Sequence, residues 1–203
     1  MLNVEQMKWW GWGGENIEFN MDDKPELWPY IKKVVGIENE VTLTPPLKFE
    51  DIKLPQQNLN DKFINQIKSL IDSERLRLDK KERLVHSYGK SFRDLWRIRN
   101  GIVNACPDCI IYPLSEDEIA NIVKAAIEYD VILIPFGAGS NIAGCLESIN
   151  DSGRMIVSLD LKLMDKVISV DKQSNTARIQ AGALGPLMER QLNTFGVTLG
   201  HFP

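Results

Sequence analysis

Two stretches of this 203-residue chain combine residue types and spacings that could do chemistry. The first is Pro135-Phe136-Gly137-Ala138-Gly139-Ser140-Asn141, which follows directly on the apolar run 131–134. Gly137, Ala138 and Gly139 let the main chain approach a ligand and adopt positive φ, so several backbone N–H groups can converge on one anion. A diphosphate can be held in this way without a lysine. The second stretch is Cys106-Pro107-Asp108-Cys109, a C-x-x-C match. A redox pair of that type precedes a helix whose N-terminus lowers the first thiol's pKa, whereas this one runs into the strand-like Ile110-Ile111-Tyr112. Zinc would need a second pair, and His86 and His201 are the only histidines, so no metal is placed here.

Two familiar phosphate motifs compete for the glycine loop. A Walker A loop requires Lys and Ser/Thr after its last glycine, but Cys145 and Leu146 follow Gly144. A dinucleotide fingerprint requires a third small residue and a helix, with an acidic residue about 20 positions on. Asp160 is suitably placed, yet Ile142 stands at the third glycine and residues 141–153 show no helical period. The plain alternative is an ordinary turn after a strand.

The surrounding elements must position that loop. Residues 109–112 read as a strand ended by Pro113, and Ser115 with Glu118 as a capping box. Ile119, Ile122, Val123, Ala126 and Ile127 then form the stripe of a helix packed on a sheet. The strand 131–134, stopped by Pro135, closes a right-handed β-α-β unit, so the loop falls at the carboxyl end of a parallel strand. A strand is expected at 155–159 and a hairpin from 166–170 and 176–180, followed by a helix opened by Pro186 and a last strand at 197–199. Upstream, a helix begins near Asn60, and Ser91 caps another that carries Phe92, Leu95, Trp96 and Ile98 inward and Arg93, Arg97 and Arg99 outward. The charged run 72–83 reads as a solvated surface. Residues 36–58 read as an extended connector, and Trp9, Trp10 and Trp12 as an arm docked through its rings.

Composition bounds the function classes. With 28 acidic and 24 basic residues the net charge is −4, and no basic block points to nucleic acid. The three cysteines, an odd count, form no disulfide framework. No run of about 18 apolar residues and no signal-peptide pattern occurs, so a soluble, intracellular protein is expected.

Pro107-Asp108, the capped helix, Pro135 to Asn141, the Leu159-Asp160-Leu161 strand and Ala181-Gly182 together resemble the flavin domain of the vanillyl-alcohol oxidase and p-cresol methylhydroxylase family, over roughly residues 82–203. Met7-Lys8-Trp9-Trp10-Gly11-Trp12-Gly13, His86-x-x-Gly89-Lys90-Ser91, Arg99-x-Gly101 and Gly200-His201-x-Pro203 are similar to its ether-lipid-forming branch. The resemblance implies an α+β fold. Residues 102–203 would be an FAD-binding p-cresol methylhydroxylase-type domain, holding its first subdomain and the start of the second. Residues 1–101 would form an arm, connector and helical region. It implies FAD held by Pro135, Phe136, Gly137, Ala138, Gly139, Ser140 and Asn141, non-covalently, because Gly139 stands where relatives carry a flavin-linking histidine. It further implies exchange of the acyl group of acyl-dihydroxyacetone phosphate for a fatty alcohol, a homodimer, peripheral membrane association, and peroxisomal placement in a eukaryote or cytoplasmic placement otherwise. No catalytic residue is named, and the chain is expected to be the amino-terminal part of a longer enzyme. The alternatives are an FAD-linked 2-hydroxy-acid oxidase or dehydrogenase and a non-catalytic flavin-binding module.

Overall fold

The computed structural model describes residues 4–18, 22–38, 44–149 and 152–201. In chain order the elements are α1 (Leu27–Val35), α2 (Asp61–Leu70), β1 (Leu76–Arg77), α3 (Lys80–Val85), α4 (Phe92–Arg99), β2 (Cys109–Ile111), α5 (Glu116–Glu128), β3 (Ile132–Phe136), β4 (Ile156–Asp160), β5 (Val167–Asp171), β6 (Thr176–Ile179) and α6 (Gly185–Thr194). A four-stranded sheet runs β1-β2-β4-β3, with β2, β4 and β3 parallel and β1 antiparallel at one edge. The hairpin β5-β6 forms a separate two-stranded sheet. The parallel arrangement around α5 is as expected, although β4 enters between the two strands that α5 connects.

Caps written in the sequence set the helix starts. The side chains of Asn60, Ser91 and Ser115 each accept the backbone N–H three residues on, from Phe63, Asp94 and Glu118. Each satisfies a donor that the first turn leaves free. Phe63, Ile64 and Ile67 of α2 and Ile122, Ala125 and Ala126 of α5 then meet Cys109, Ile111, Val157 and Leu159 on one sheet face. Full burial of an Ile or Phe side chain contributes about 1.5–3 kcal/mol. This core therefore draws on residues from both sides of position 102. A second core gathers Val4, Trp9, Ile52, Leu84, Val85, Tyr88, Ile98, Val103 and Cys106, so Trp9 of the arm is docked as expected.

Four expectations are corrected. The run 72–83 is not a solvated surface: it holds β1 and most of α3, and Glu82 and Arg83 are buried. Their polar ends find partners inside, Arg83 donating to the carbonyls of Pro107 and Pro55 at 2.8 Å each and Glu82 accepting from Tyr112. On α4 Ile98 is buried and Arg93 exposed as expected, but three other side chains are reversed. Arg97 lies inside, bonded to Asp94 at 2.8 Å and Glu147 at 2.6 Å and 4.3 Å over the Tyr88 ring, while Phe92 and Trp96 are 85% and 53% exposed. Pro135 does not end β3, which continues to Phe136. β3 is an edge strand, where a missing N–H is tolerated on the open side. Finally, residues 197–199 form no strand. They fold back on α6, whose Glu189 carboxylate accepts from the Thr198 hydroxyl at 2.8 Å and the Leu199 N–H at 3.0 Å.

Candidate functional site

The glycine loop leaves β3 at the carboxyl end of the parallel strands, and three other segments close around it. Asn141 is bound on its outer side: its carbonyl accepts from the Lys90 N–H at 2.7 Å, and its side chain accepts from the Ala143 and Cys145 N–H groups at 3.1 and 3.0 Å. Gly89 lies so close that a Cβ there would fall 2.0 Å from the Asn141 carbonyl oxygen. On the other side Ala181 and Gly182 pack against the loop and against the residues following β4. A Cβ on Gly182 would stand 1.8 Å from the Leu161 carbonyl oxygen, so only glycine fits there.

The two loop glycines differ in why they are glycine. Gly139 has φ +68°, and a Cβ on it would meet the Phe136 ring at 2.5 Å. Its identity is fixed within the chain. Gly137 has no such constraint, because a Cβ would meet only the Ala181 carbonyl oxygen, at an ordinary 3.5 Å. The fold would therefore accept a methyl group at Gly137. Among the described residues, the N–H groups of Gly137, Ala138, Gly139 and Ser140 have no hydrogen-bond partner. Free N–H groups on a side-chain-poor loop at a strand terminus fit the demands of a diphosphate.

Beneath the loop is a buried polar cluster that spacing alone does not show. His86 is 1% exposed, with Nδ1 2.7 Å from the Glu82 carbonyl oxygen and Nε2 3.0 Å from the Asp160 carboxylate. Asp160 also accepts from the Lys162 N–H at 2.8 Å. It is thus committed to His86 and to its own turn. No helix follows Gly139 before β4 among the described residues, so the dinucleotide-fingerprint reading fails on both counts. Tyr112 donates to Glu82, and burial together with that bond holds its phenol far above the usual range. Burial pulls the Lys90 ammonium down to about 8, against the opposing attraction of Asp94.

The cysteine pair is buried in both members. Burial pushes the thiols of Cys106 and Cys109 up, away from the reactive thiolate. Among the described residues no group of three or more His, Cys, Asp or Glu could hold a metal ion, and no helix is long and apolar enough to cross a membrane. Of the motif Gly200-His201-x-Pro203, the last two positions lie outside the described residues.

Fold and loop define a class. Residues 107–203 match the FAD binding domain family, and the fold is the α+β flavin-domain type of p-cresol methylhydroxylase. A solved structure of that enzyme covers 67% of this chain and is itself covered over 25%, with a TM-score of 0.52 and 16% identity. Over nearly its whole length the chain is similar to the alkyldihydroxyacetonephosphate synthases. The enzyme of that name from Dictyostelium discoideum is 36% identical across 98% of this chain, which corresponds to 36% of that protein. That from Trypanosoma brucei brucei is 33% identical, again across 98% of this chain and 35% of the relative. A solved alkyldihydroxyacetonephosphate synthase superposes with a TM-score of 0.85 at 36% identity, over 98% of this chain and 40% of its own. The chain thus spans little more than a third of the curated relatives it matches.

Proposed function

We propose that this chain supplies the diphosphate-binding half of a flavin site in an FAD-dependent alkyl transferase, which exchanges the acyl group of acyl-dihydroxyacetone phosphate for a fatty alcohol in ether-lipid synthesis. The observation that carries this reading is the extent of the match: similarity to the synthases covers 98% of the chain, well outside the FAD-binding match at 107–203. The flavin, when bound, supplies the electrophilic and nucleophilic centre at which the substrate's carbon exchanges its substituent.

The chain's own residues do the holding. The N–H groups of residues 137–140 receive the diphosphate, and the lack of a side chain at Gly137 admits its close approach. Asn141 keeps its side-chain oxygen and its main-chain carbonyl for the protein and so shapes the loop. Gly139 offers no nucleophile, so attachment through this loop is non-covalent. Peroxisomal placement in a eukaryote or cytoplasmic placement otherwise, a homodimer and peripheral membrane association belong to the same proposal and rest on the family resemblance alone.

The test is direct. Gly137→Ala should leave the fold intact, because the added methyl meets only an ordinary contact, and should weaken FAD binding at least tenfold in a fluorescence-quenching titration. Equal affinity for wild type and variant would make the loop a structural turn. For the reaction, the protein carrying this chain is given palmitoyl-dihydroxyacetone phosphate with hexadecanol, and separately D-lactate and glycolate. Release of palmitate with incorporation of hexadecanol supports the proposal, whereas oxidation of the hydroxy acids overturns it.

A further inference from the structure

The glycine loop rests on one aromatic ring, and that ring rests on a buried histidine. Phe136 and Asp160 are register partners across β3 and β4, and His86 packs onto both. Its imidazole is 4.2 Å from the Phe136 ring, centroid to centroid, while Nε2 meets Asp160 at 3.0 Å. Phe136 is 4% exposed, and its far edge fills the space where a side chain on Gly139 would go, within 2.5 Å of the Cβ position. One line of contacts therefore runs from the Glu82 carbonyl through His86 and Phe136 to the turn of the loop.

His86 cannot rotate out of this line. Both ring nitrogens lie within hydrogen-bond distance of oxygens, the Glu82 carbonyl and the Asp160 carboxylate, so the ring is held at both ends. The Tyr112 ring, 6.2 Å away, closes the remaining side, and its hydroxyl occupies the Glu82 carboxylate. Such a fully partnered buried network is rigid, because leaving any member unsatisfied in the interior is costly. A rigid support is what a loop with so few side chains lacks.

We propose that His86 is a positioning residue for the glycine loop, setting through the Phe136 ring the conformation in which residues 137–140 direct their N–H groups at a diphosphate. The ligand part of this statement rests on the flavin reading above; the control of loop shape does not. Removing the imidazole lets Phe136 drop toward the vacated space, and Gly139 then loses the surface that defines its turn. The ligand is met by N–H groups that no longer converge, and preorganised binding is lost.

The experiment uses the whole chain, His86→Ala and Phe136→Leu, the second keeping an apolar filling and leaving the His86–Asp160 bond intact should the first fail to fold. Amide resonances are followed in the free proteins, and FAD is titrated by fluorescence quenching. Both variants should displace the Gly137, Gly139 and Ser140 amides and leave Ile122 and Ala125 of α5 unmoved. FAD affinity should fall about tenfold or more in each, and added imidazole should restore loop shifts and affinity in His86→Ala alone. Unchanged loop amides, or shifts spread equally through α5, would overturn the proposal and leave His86 a general fold residue. Equal FAD binding by wild type and Gly137→Ala would instead overturn the flavin reading, while the free-protein shifts would still decide the role of His86.

Discussion

At the scale of single residues, the two loop glycines separate what the fold requires from what a ligand requires. Gly139→Ala places a side chain at φ +68° and drives it into the Phe136 ring, so it should cost about 2–4 kcal/mol, as strained and overpacked sites do. Gly137→Ala should cost under about 1 kcal/mol in the same urea titration, because neither strain nor overlap applies. A second residue-level expectation concerns Lys90, whose ammonium burial pulls down to about 8. Below pH 8 the amine is charged in both states and the folded chain bears the full cost of burying it. Between about pH 8 and the unfolded value of about 10.4 only the unfolded chain keeps the proton, so stability rises with pH. Lys90→Met should therefore stabilise the chain by about 1–3 kcal/mol at pH 7, an advantage that disappears by about pH 10.5. An advantage independent of pH would mean that the amine is not buried at a cost. The glycine loop was readable from the sequence because its chemistry is local and consecutive. His86 and Asp160 were not readable as partners, because 74 positions separate them and only the fold brings them together.

Elements were legible where a local rule sets them and opaque where a distant partner does. The caps Asn60, Ser91 and Ser115 and the hairpin around residues 171–175 follow from side chains within a few positions. The misread faces are those where charge is buried. Periodicity counts apolar residues, and it assigns Arg83 and Arg97 to water because their partners, Pro107 and Glu147, lie 24 and 50 residues away. The same blindness hid the join between β1 and α5. Arg75, just before β1, reaches Glu118 in the first turn of α5 through two bonds of 2.6 and 3.0 Å, and also donates to the Tyr112 carbonyl at 3.1 Å. Glu118 thus departs from a simple capping box: its carboxylate takes Arg75 and the Leu114 N–H instead of the Ser115 N–H. The bond to Arg75 holds its carboxyl below the ordinary range. A depressed carboxyl contributes stability that is present above its unfolded value of about 4.3 and is lost as the pH falls through the lower folded value. Arg75→Met should cost about 1–3 kcal/mol at pH 7 by leaving a half-shielded carboxylate without its bidentate partner. The gap between variant and wild type should close below about pH 4, and a pH-independent gap would assign the loss to packing.

For the whole molecule the question is whether two cores unfold as one. The first is built by α2, α5 and the sheet; the second joins the arm, α3, α4 and the segments around Ile52 and Val103. α3 links them. Its Leu84 and Val85 lie in the second core, while Glu82 and Arg83 on the same two turns bind Tyr112 and Pro107 at the ends of β2. A helix of six residues has too little intrinsic stability to survive on one side alone, so losing either core removes the other's anchor. Trp9 tests this from the far end of the chain. It is 2% exposed and meets Trp10 edge-on at 5.3 Å. Trp9→Ala leaves a cavity in the second core and should cost about 3–5 kcal/mol, a large fraction of the 5–15 kcal/mol typical of a folded domain. If the cores are one cooperative unit, the loss lowers a single urea midpoint, and amides of Ile122 in α5 and Leu84 in α3 exchange with the same reduced free energy. The loop would then melt with the arm, because its support at His86 follows directly on α3. Two separated transitions, with α5 still protected after α3 has opened, would show that the glycine loop is carried by the sheet alone and that the tryptophan arm is dispensable to it.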